Sequence, residues 1–384
     1  WKGNLHTHSL WSDGDQFPEM IADWYREQGY HFLALTDHNV LSEGQRWMSV
    51  KKIVARSDAG VVDRYRARFG DHWVESRGID EGGAVSSEAT EIRLKPLDEF
   101  RHLLEERGRF LMMSGEEISD RSEGKPVHIN ATNLSEKLTP TGGSTVRETI
   151  QNNLRMILEH EKAIGREVFP HLNHPNFGYA VTAEDLAAAS SERFFEVYNG
   201  HPGVNHLGDD SHPSIESMWD QINAIRCGQA GIEPIMGIAT DDSHEYHGQP
   251  GSRPGRGWVM VRSRFLTPQY LIQALKRGDF YASSGVGLDE VEFDESTRTL
   301  RVSIDSEPGV TYQTDFIATL KGNAPAKEKV GVVVGTSGDR IAGYQMTGNE
   351  LYVRAVVTSD RPHVDPSFKG QMQQAWTQPV GWVK

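Results

Sequence analysis

The sequence predicts a mixed α/β protein in which a large barrel-like domain, residues 1–285, precedes a smaller antiparallel β domain, residues 286–384. Two observations predict this fold class. Up to about residue 285, short apolar runs alternate with amphipathic helical segments, which is typical of a mostly parallel sheet that closes into a barrel. Beyond that point the apolar residues recur with a period of two, which indicates antiparallel strands in a compact sandwich.

The chain opens with a strand–helix–strand unit. An extended segment is followed by an amphipathic helix predicted from Pro18 to Gly29, and His31 to His38 reads as a strand buried on both faces. From about residue 41 to 108, charged helix-prone segments surround a Gly/Ser-rich turn region at Gly82 to Ser87. An insertion of this size between strands is typical of a lid or side wall over a site.

The alternation resumes after the insertion. Strands are predicted at residues 110–113, 126–133, 168–176, 194–200, 234–244, 258–261 and 280–285, with helices at residues 144–163, 182–189, 215–229 and 268–277. In the β domain, strands are predicted at residues 291–293, 299–304, 315–320, 330–334 and 351–357. Because the carboxyl ends of barrel strands build the active site in such folds, polar residues that follow the strands are expected to lie together.

Composition narrows the class of partner. The formal net charge of −14 disfavours nucleic acid or an anionic membrane, so we expect a small-molecule substrate. No apolar run reaches the length of a membrane span. The single cysteine, Cys227, excludes an internal disulfide and a thiolate metal cluster. The chain begins at Trp1, which slightly favours a periplasmic or secreted protein with its signal removed, although trimming would leave the same start.

Histidines and carboxylates follow several of the predicted strands. His6 and His8 lie one residue apart on an extended segment, so their rings point to the same face, and Asp13 follows in a Ser-Asp-Gly turn. The complete set of candidate ligands is His6, His8, Asp13, His38, Glu117, His128, His174, Asp242 and His244. Nine nitrogen and oxygen donors are too many for one ion and suit two or three divalent ions, with manganese, iron and zinc equally compatible.

In this order the motifs resemble the polymerase-and-histidinol-phosphatase (PHP) family of metal-dependent hydrolases. The matching pieces are His-Thr-His with Ser-Asp-Gly, Thr-Asp-His-Asn, Gly-Glu-Glu, Val-His-Ile-Asn, Asn-His-Pro and Asp-Asp-Ser-His. Within the family, Glu-Val-Tyr-Asn-Gly, Arg-Gly-Asp-Phe-Tyr-Ala-Ser-Ser-Gly and the tail Ala-Trp-Thr-Gln-Pro-Val resemble the carbaryl-hydrolase-like (CehA/McbA) branch. The resemblance covers about residues 1–285 and implies a distorted seven-stranded β/α barrel, a (β/α)7 PHP fold.

The resemblance also implies a role for each candidate ligand. One metal would be held by His6, His8, Glu117 and Asp242, a second by Asp13, His38 and His244, and a third by Glu117, His128 and His174. Glu117 is preferred to Glu116 because the family places its glutamate two residues after the glycine. The catalytic residues would be His38, Glu117, Asp242 and His244.

Six further residues are predicted to contact substrate: Arg93, Lys95, Asn199, His201, Arg253 and Arg256. Family members that act on phosphate monoesters often carry an arginine shortly after the His-Pro pair, and here His174-Pro175 is followed by Asn176. Arg253 and Arg256 could supply the missing positive charge or be ordinary loop residues, and Arg93 and Lys95 could equally be solvated surface charges. The remaining loop and strand histidines, His171, His206 and His247, are expected in the core, in a second layer around the ligands or at the surface.

The leading functional hypothesis is a hydrolase in which a hydroxide bridging the metals cleaves a phosphodiester or phosphomonoester of a small molecule. The alternative is hydrolysis of a carbamate, ester or amide, as in carbaryl hydrolases. A polymerase proofreading module is disfavoured by the acidic charge and the absence of any polymerase-length extension. A carbohydrate-binding protein built around the β domain is disfavoured by the intact ligand set.

Overall fold

The computed structural model describes residues 1–78, 90–322 and 329–383, so the turn region predicted at Gly82 to Ser87 lies outside the described residues. The strands are β1 (Lys2–Asn4), β2 (Phe32–Leu35), β3 (Arg46–Ser49), β4 (Ser76–Arg77), β5 (Glu91–Leu94), β6 (Leu111–Ser122), β7 (Lys125–Thr132), β8 (Phe169–Leu172), β9 (Phe194–Asn199), β10 (Met236–Thr240), β11 (Trp258–Val261), β12 (Phe280–Ser283), β13 (Leu288–Asp294), β14 (Thr299–Ile304), β15 (Tyr312–Leu320), β16 (Val332–Ser337), β17 (Ile341–Gln345), β18 (Glu350–Pro362) and β19 (Met372–Trp376). The α-helices are α1 (Pro18–Glu27), α2 (Val50–Arg56), α3 (Val61–Phe69), α4 (Leu97–Leu104), α5 (Val146–Ile164), α6 (Ala183–Ala188), α7 (Ile215–Asn223) and α8 (Pro268–Arg277), and a π-helix (Ala224–Ala230) continues α7.

A large mixed sheet organises the fold, in the order β10-β9-β8-β7-β6-β2-β1-β11-β12-β19-β18-β15-β16. Strands β1, β2 and β6 run parallel, as do β8, β9 and β10, whereas β7 is antiparallel to both of its neighbours. The predicted α/β class is therefore confirmed. No sheet among the described residues closes on itself, so the predicted barrel is not confirmed.

The chain segments that follow β1 and β10 nevertheless pair with each other. Thr7 forms an isolated parallel bridge with Ser243. The amide of His8 donates to the Ser243 carbonyl oxygen at 2.9 Å, and the amide of Asp242 donates to the His6 carbonyl oxygen at 3.0 Å. These hydrogen bonds hold the first and the last candidate ligand motifs side by side.

Strand β6 differs from the prediction in length and in what it carries. The sequence predicted a strand ending at Met113, but β6 continues through Glu116 and Glu117 and turns at Glu123–Gly124 into the antiparallel β7. Both turn residues have left-handed backbones, with φ of 53° and 77°. Because polar residues interrupt the apolar pattern of β6, the sequence indicated a loop there. The expectation that every ligand follows the carboxyl end of a strand is therefore wrong for the ligands of this hairpin.

Helices cover the sheet through apolar faces. On α5, Ile150, Leu154 and Ile157 are buried in the same cluster as Ile129 of β7 and Leu172 of β8. Its N-terminus is capped by Thr145, whose hydroxyl accepts the Glu148 amide at 3.1 Å. In the insertion, the helix-prone segment indicated at residues 51–69 forms two helices separated by residues 57–60, and the one indicated at residues 96–107 forms α4. The insertion also contains a small sheet, β3-β5-β4. Among the described helices, none has the length and apolar composition needed to cross a membrane.

The C-terminal part is an antiparallel β domain, as the sequence predicted. Strand β19 pairs with β12, so the large sheet continues into β18, β15 and β16, and β13, β14 and β17 form a second sheet. Leu300 and Val302 of the second sheet share a core with Phe316 and Val353 of the first. Strands β17 and β19 were not predicted, and the predicted boundary at residue 285 falls between β12 and β13.

Candidate metal centre

The structure brings the nine candidate ligands into one connected cluster. Each of them has a ring nitrogen or carboxylate oxygen within 3.5 Å of such an atom on another member of the set. They come from the segment after β1, the segment after β2, the β6–β7 hairpin, the loop after β8 and the loop after β10. Residues far apart in sequence therefore converge through the sheet.

Glu117 lies at the centre of this cluster. Its Oε1 is 2.9 Å from His128 Nδ1, 3.4 Å from His174 Nε2 and 3.5 Å from His6 Nε2. Its Oε2 is 2.5 Å from His38 Nδ1 and 3.5 Å from His8 Nε2. One carboxylate thus contacts five imidazoles through two oxygens, which is the arrangement expected of a bridging ligand.

The neighbouring glutamate lies outside the cluster, because successive side chains of a strand point to opposite faces. Glu116 Oε1 accepts a hydrogen bond from the Leu138 amide at 2.5 Å. Burial raises the pKa of Glu116 to about 7. Of the two glutamates, the structure therefore brings Glu117 and not Glu116 to the other candidate ligands.

A first tight group forms where the segments after β1 and β10 pair. His6 Nε2 lies 3.1 Å from His8 Nε2, and both nitrogens lie 3.1 Å from Asp242 Oδ1. Asp242 has a left-handed backbone with φ of 49°, which is uncommon for a residue other than glycine. Its other oxygen, Oδ2, accepts a hydrogen bond from the Asn199 side chain at 3.2 Å.

A second group surrounds Asp13 and lies at the open side of the cluster. The carboxylate of Asp13 is 3.4 Å from His38 Nε2, 3.5 Å from His244 Nε2 and 3.6 Å from His8 Nδ1. The Asp13 side chain is 53% exposed, whereas those of His8 and Glu117 are fully buried. The Asp13 side is therefore the side of the cluster that solvent reaches.

Among the described residues, four groups of at least three have ligand atoms that lie within 4.8 Å of one another: His8, Asp13, His38 and His244; His6, His8 and Glu117; His38, Glu117 and His128; and His6, His171 and Glu196. His6, His8 and His38 each belong to two groups, which differs from the one-metal roles implied by the family resemblance. His174 belongs to none of these groups, but its ring Nε2 lies 3.4 Å from Glu117 Oε1. The fourth group was not predicted.

The electrostatics of the cluster fit divalent cations. Burial alone would raise the pKa of Glu117, but His38, His128 and His6 hold it well below its usual range. Burial, together with the charges of His244 and His38, lowers the pKa of His8 to about 3 and keeps its ring a neutral donor. Glu117 Oε2 is buried without a well-aligned hydrogen-bond donor. Buried carboxylates need compensating positive charge, and the donors here are the nitrogen and oxygen atoms that such cations bind.

Glu196 of β9 supports two of the candidate ligands, His6 and His174, and also binds Asn199. Its Oε1 lies 2.7 Å from His6 Nδ1, and its Oε2 accepts the His174 amide at 2.7 Å and the Asn199 side chain at 2.8 Å. The burial of Glu196 works to raise its pKa, but His6 and His171 lower it below its usual range. Glu196 lies in the Glu-Val-Tyr-Asn-Gly motif, but no role was predicted for it. A histidine ligand usually donates its second ring nitrogen to a carboxylate, and this rule is the signal that could have identified it.

Two other aspartates, for which no role was predicted, fix the loops that carry ligands. Asp37 accepts hydrogen bonds from the amide and hydroxyl of Ser9, both at 2.7 Å, and from the Ser12 hydroxyl at 2.6 Å. Asp241 accepts the Tyr25 hydroxyl at 2.6 Å and the amides of residues 255–257 at 2.6–2.8 Å. Each directly precedes a candidate ligand in sequence, which is a second signal that was available.

The remaining histidines lie in different environments. His171 is fully buried 3.6 Å from Glu196, and neither of its ring nitrogens has a hydrogen-bond partner among the described residues. His206 is buried and contacts the Asn199 amide, and His247 lies beside the Asp15 carbonyl oxygen and Arg64. The His201 ring lies edge-on to His244, with 5.8 Å between centroids.

The six predicted substrate contacts divide into two sets. Asn199 and His201 lie beside the cluster, and Asn199 Oδ1 accepts the His201 amide at 2.8 Å. The four cationic side chains are engaged with carboxylates: Arg93 and Lys95 with Glu75 and Glu99, and Arg253 and Arg256 with Asp365. An unpredicted cation, Arg56 of α2, donates to the carbonyl oxygen of Ser12, next to Asp13.

Comparison with known proteins gives limited similarity. No protein-family model matches the chain, and no curated protein sequence matches it. Among solved structures, a two-domain protein from Bacteroides vulgatus containing a predicted PHP-like metal-dependent phosphoesterase is 16% identical, with a TM-score of 0.42 over 99% of this chain and 94% of that chain. A proposed metal-dependent phosphoesterase from Bifidobacterium adolescentis is 14% identical, with a TM-score of 0.33 over 72% of this chain and 96% of that chain.

Proposed function

We propose that this protein is a metal-dependent hydrolase of the PHP type, in the carbaryl-hydrolase-like branch, that cleaves a phosphoester bond in a small molecule. The observation that carries the proposal is the convergence of nine imidazole and carboxylate side chains around Glu117. The motifs that supply them occur along the chain in the order of that family. The pairing beyond β1 and β10 also supports a distorted seven-stranded barrel made of β1, β2 and β6 to β10.

The candidate ligands would hold two or three divalent ions, with manganese, iron and zinc as candidates. Ions bound there would lower the pKa of water to about 7 and polarise the oxygen of the scissile group. The protein's part is to fix the donors: Glu196 orients the His6 ring, and Asp37 and Asp241 fix the loops that bear the other ligands. The buried carboxylates Glu117 and Asp242 supply the negative charge that retains the cations.

The charges near the open side favour a phosphodiester over a phosphomonoester. Arg56 places a guanidinium next to Asp13, which suits a substrate with a single negative charge. Arg253 and Arg256, which could have matched a second charge, are paired with Asp365. The net charge of −14 likewise opposes nucleic acid and anionic membranes as partners, which leaves a small molecule.

The alternative function is hydrolysis of a carbamate, ester or amide. One observation favours it: all four cationic side chains predicted to contact substrate are paired with carboxylates. A neutral substrate needs no additional cation, and the same cluster would polarise its carbonyl oxygen. The two functions therefore differ in the charge of the substrate rather than in the residues that bind metal.

A substrate panel separates these functions. Purified protein is stripped of metal with a chelator and reloaded in turn with manganese, iron or zinc. Each form is assayed with p-nitrophenyl phosphate, bis-p-nitrophenyl phosphate and aryl carbamates. The proposal predicts that the diester is turned over fastest and that His38→Ala and Asp242→Ala abolish turnover while the fold persists by circular dichroism. Turnover of carbamates alone supports the alternative, and full activity in both variants contradicts both functions.

A further inference from the structure

The connection between β18 and β19, residues 363–371, extends from the C-terminal β domain onto the end of β9. We call this segment the docking loop. The Ser367 hydroxyl donates to the Gly200 carbonyl oxygen at 2.9 Å and shares a 2.8 Å hydrogen bond with the Tyr198 hydroxyl. The Gln371 side chain donates to the same Tyr198 hydroxyl at 2.9 Å. The docking loop therefore contacts the residues on both sides of Asn199.

An aspartate of the docking loop holds a buried guanidinium between two loops at the candidate site. Arg256 Nε and Nη2 donate to the Asp365 carboxylate at 3.0 and 3.1 Å. Arg256 Nη1 donates to the carbonyl oxygens of Gly200 at 2.7 Å and Gly251 at 2.8 Å. Because the Arg256 side chain is only 3% exposed, its charge depends on Asp365 for compensation.

The contacted segment leads directly to a candidate metal ligand. Between Tyr198 and Gly200, Asn199 donates to Asp242 Oδ2 and to Glu196, and its own oxygen accepts the His201 amide. The space is tight, since a Cβ atom at position 200 would lie 2.5 Å from the Asp241 carbonyl oxygen. A shift of this strand end would therefore move Asn199 relative to Asp242.

The β domain is also fixed to the α/β part away from the strand ends. Arg354 of β18 makes a buried ion pair with Asp220 of α7, at 2.7 and 2.9 Å. The Gln378 side chain exchanges two 2.9 Å hydrogen bonds with the backbone of Gly237 in β10. The domain that carries the docking loop is thus fixed to α7 and β10 by contacts outside the loop.

We propose that the C-terminal β domain positions residues of the hydrolase site, with Asp365 and Ser367 acting as the positioning residues. They hold the end of β9 so that Asn199 keeps Asp242 in place and His201 stays beside His244. This inference rests on the proposed function for its effect on turnover. Its structural claim, that the docking loop orders residues 199–206 and strengthens metal binding, can be measured without any substrate.

The test compares Asp365→Asn and Ser367→Ala with Asp360→Asn, an exposed aspartate of the same domain that is bonded to Thr311. Hydrogen exchange at residues 199–206 is expected to be about tenfold faster in both docking-loop variants and unchanged in the control. Metal affinity, from competition with a chelator, is expected to fall about tenfold. With the best substrate of the panel, kcat is expected to fall about 10- to 100-fold, with KM changing less.

Two results would overturn the inference. If both docking-loop variants exchange hydrogen at residues 199–206 at the wild-type rate, the loop does not order this segment. Faster exchange with unchanged metal affinity and kcat would show that the ordering has no effect on the site. If Asp365→Asn fails to fold, Ser367→Ala decides alone, because it removes only a hydroxyl. If the wild-type protein hydrolyses nothing in the panel, the proposed function fails, and exchange and metal affinity still decide the inference.

Discussion

Glu196 and His6 are joined by a 2.7 Å contact between carboxylate Oε1 and ring Nδ1, with both side chains fully buried. This contact leaves the other ring nitrogen of His6, Nε2, facing His8 and Asp242. A carboxylate in this position fixes the tautomer and the orientation of a histidine ligand and increases its basicity. Glu196 is therefore as much a part of the candidate centre as the residues that would touch the metal.

Replacing Glu196 with glutamine tests this role. Glu196→Gln removes the negative charge while keeping the shape, so metal affinity is expected to fall about 10- to 100-fold. Competition with a chromogenic chelator measures the affinity. The matched control is Glu192→Gln, because Glu192 is also fully buried next to the same strand but, among the described residues, accepts hydrogen bonds only from the amides of residues 193 and 194. Equal affinities in the two variants would contradict the role.

The substrate's charge can be tested at Arg56. Arg56→Ala removes the guanidinium beside Asp13 and is expected to lower kcat/KM for bis-p-nitrophenyl phosphate by about tenfold, because a charge-assisted contact is lost. Carbamate turnover, if present, is expected to change less. Lys52→Ala on the same helix is the control for loss of surface charge. A diester kcat/KM that stays at the wild-type value would remove Arg56 from the substrate site.

Much of the candidate site could be predicted from the sequence because its ligands are rare residue types at fixed spacings. His6, His8 and Asp13 fall within one short segment, and Asp242 and His244 within another. The supporting carboxylates were harder to find. Glu196 stands between apolar residues and Asp37 stands in the Thr-Asp-His-Asn motif, and only the folded chain reveals which side chain each one faces.

The fold was predictable where the apolar period was clear, as in α8 and β14. It was not predictable in the β6–β7 hairpin, where Glu116 and Glu117 interrupt the apolar pattern of a strand that is buried all the same. The roles expected for Arg253 and Arg256 depended on loop position alone. Sequence could not show that Asp365, more than a hundred residues later, pairs with both of them.

The stability of the metal-free protein should depend on pH through Glu192. Burial raises the pKa of Glu192 to about 7, whereas an unfolded glutamate titrates near 4.5. The folded state therefore binds more protons than the unfolded state between these pH values. The contribution of protonated Glu192 to the free energy of unfolding is complete below about pH 4.5 and is lost as the pH rises through 7. Glu192→Gln, which cannot ionise, is expected to be more stable than the wild type at pH 8, on the order of 3 kcal/mol.

Urea unfolding of both proteins at pH 5 and pH 8, in the presence of a chelator, measures this difference. The difference in free energy of unfolding between Glu192→Gln and the wild type should be smaller at pH 5, where the wild-type Glu192 is protonated in the folded state. If the free energy of unfolding changes with pH in the same way for the two proteins, Glu192 titrates in the folded state as it does in the unfolded chain.

The number of metal ions per chain tests the central claim most directly. Elemental analysis of the purified protein, after incubation with manganese, iron or zinc and removal of free metal, is predicted to give two or three equivalents. Glu117→Gln should retain at most one equivalent, because Glu117 connects the groups of ligands, whereas Glu116→Gln on the opposite face of β6 should match the wild type. A wild-type content of one equivalent or less, or equal contents in the two variants, would contradict a multinuclear centre built around Glu117.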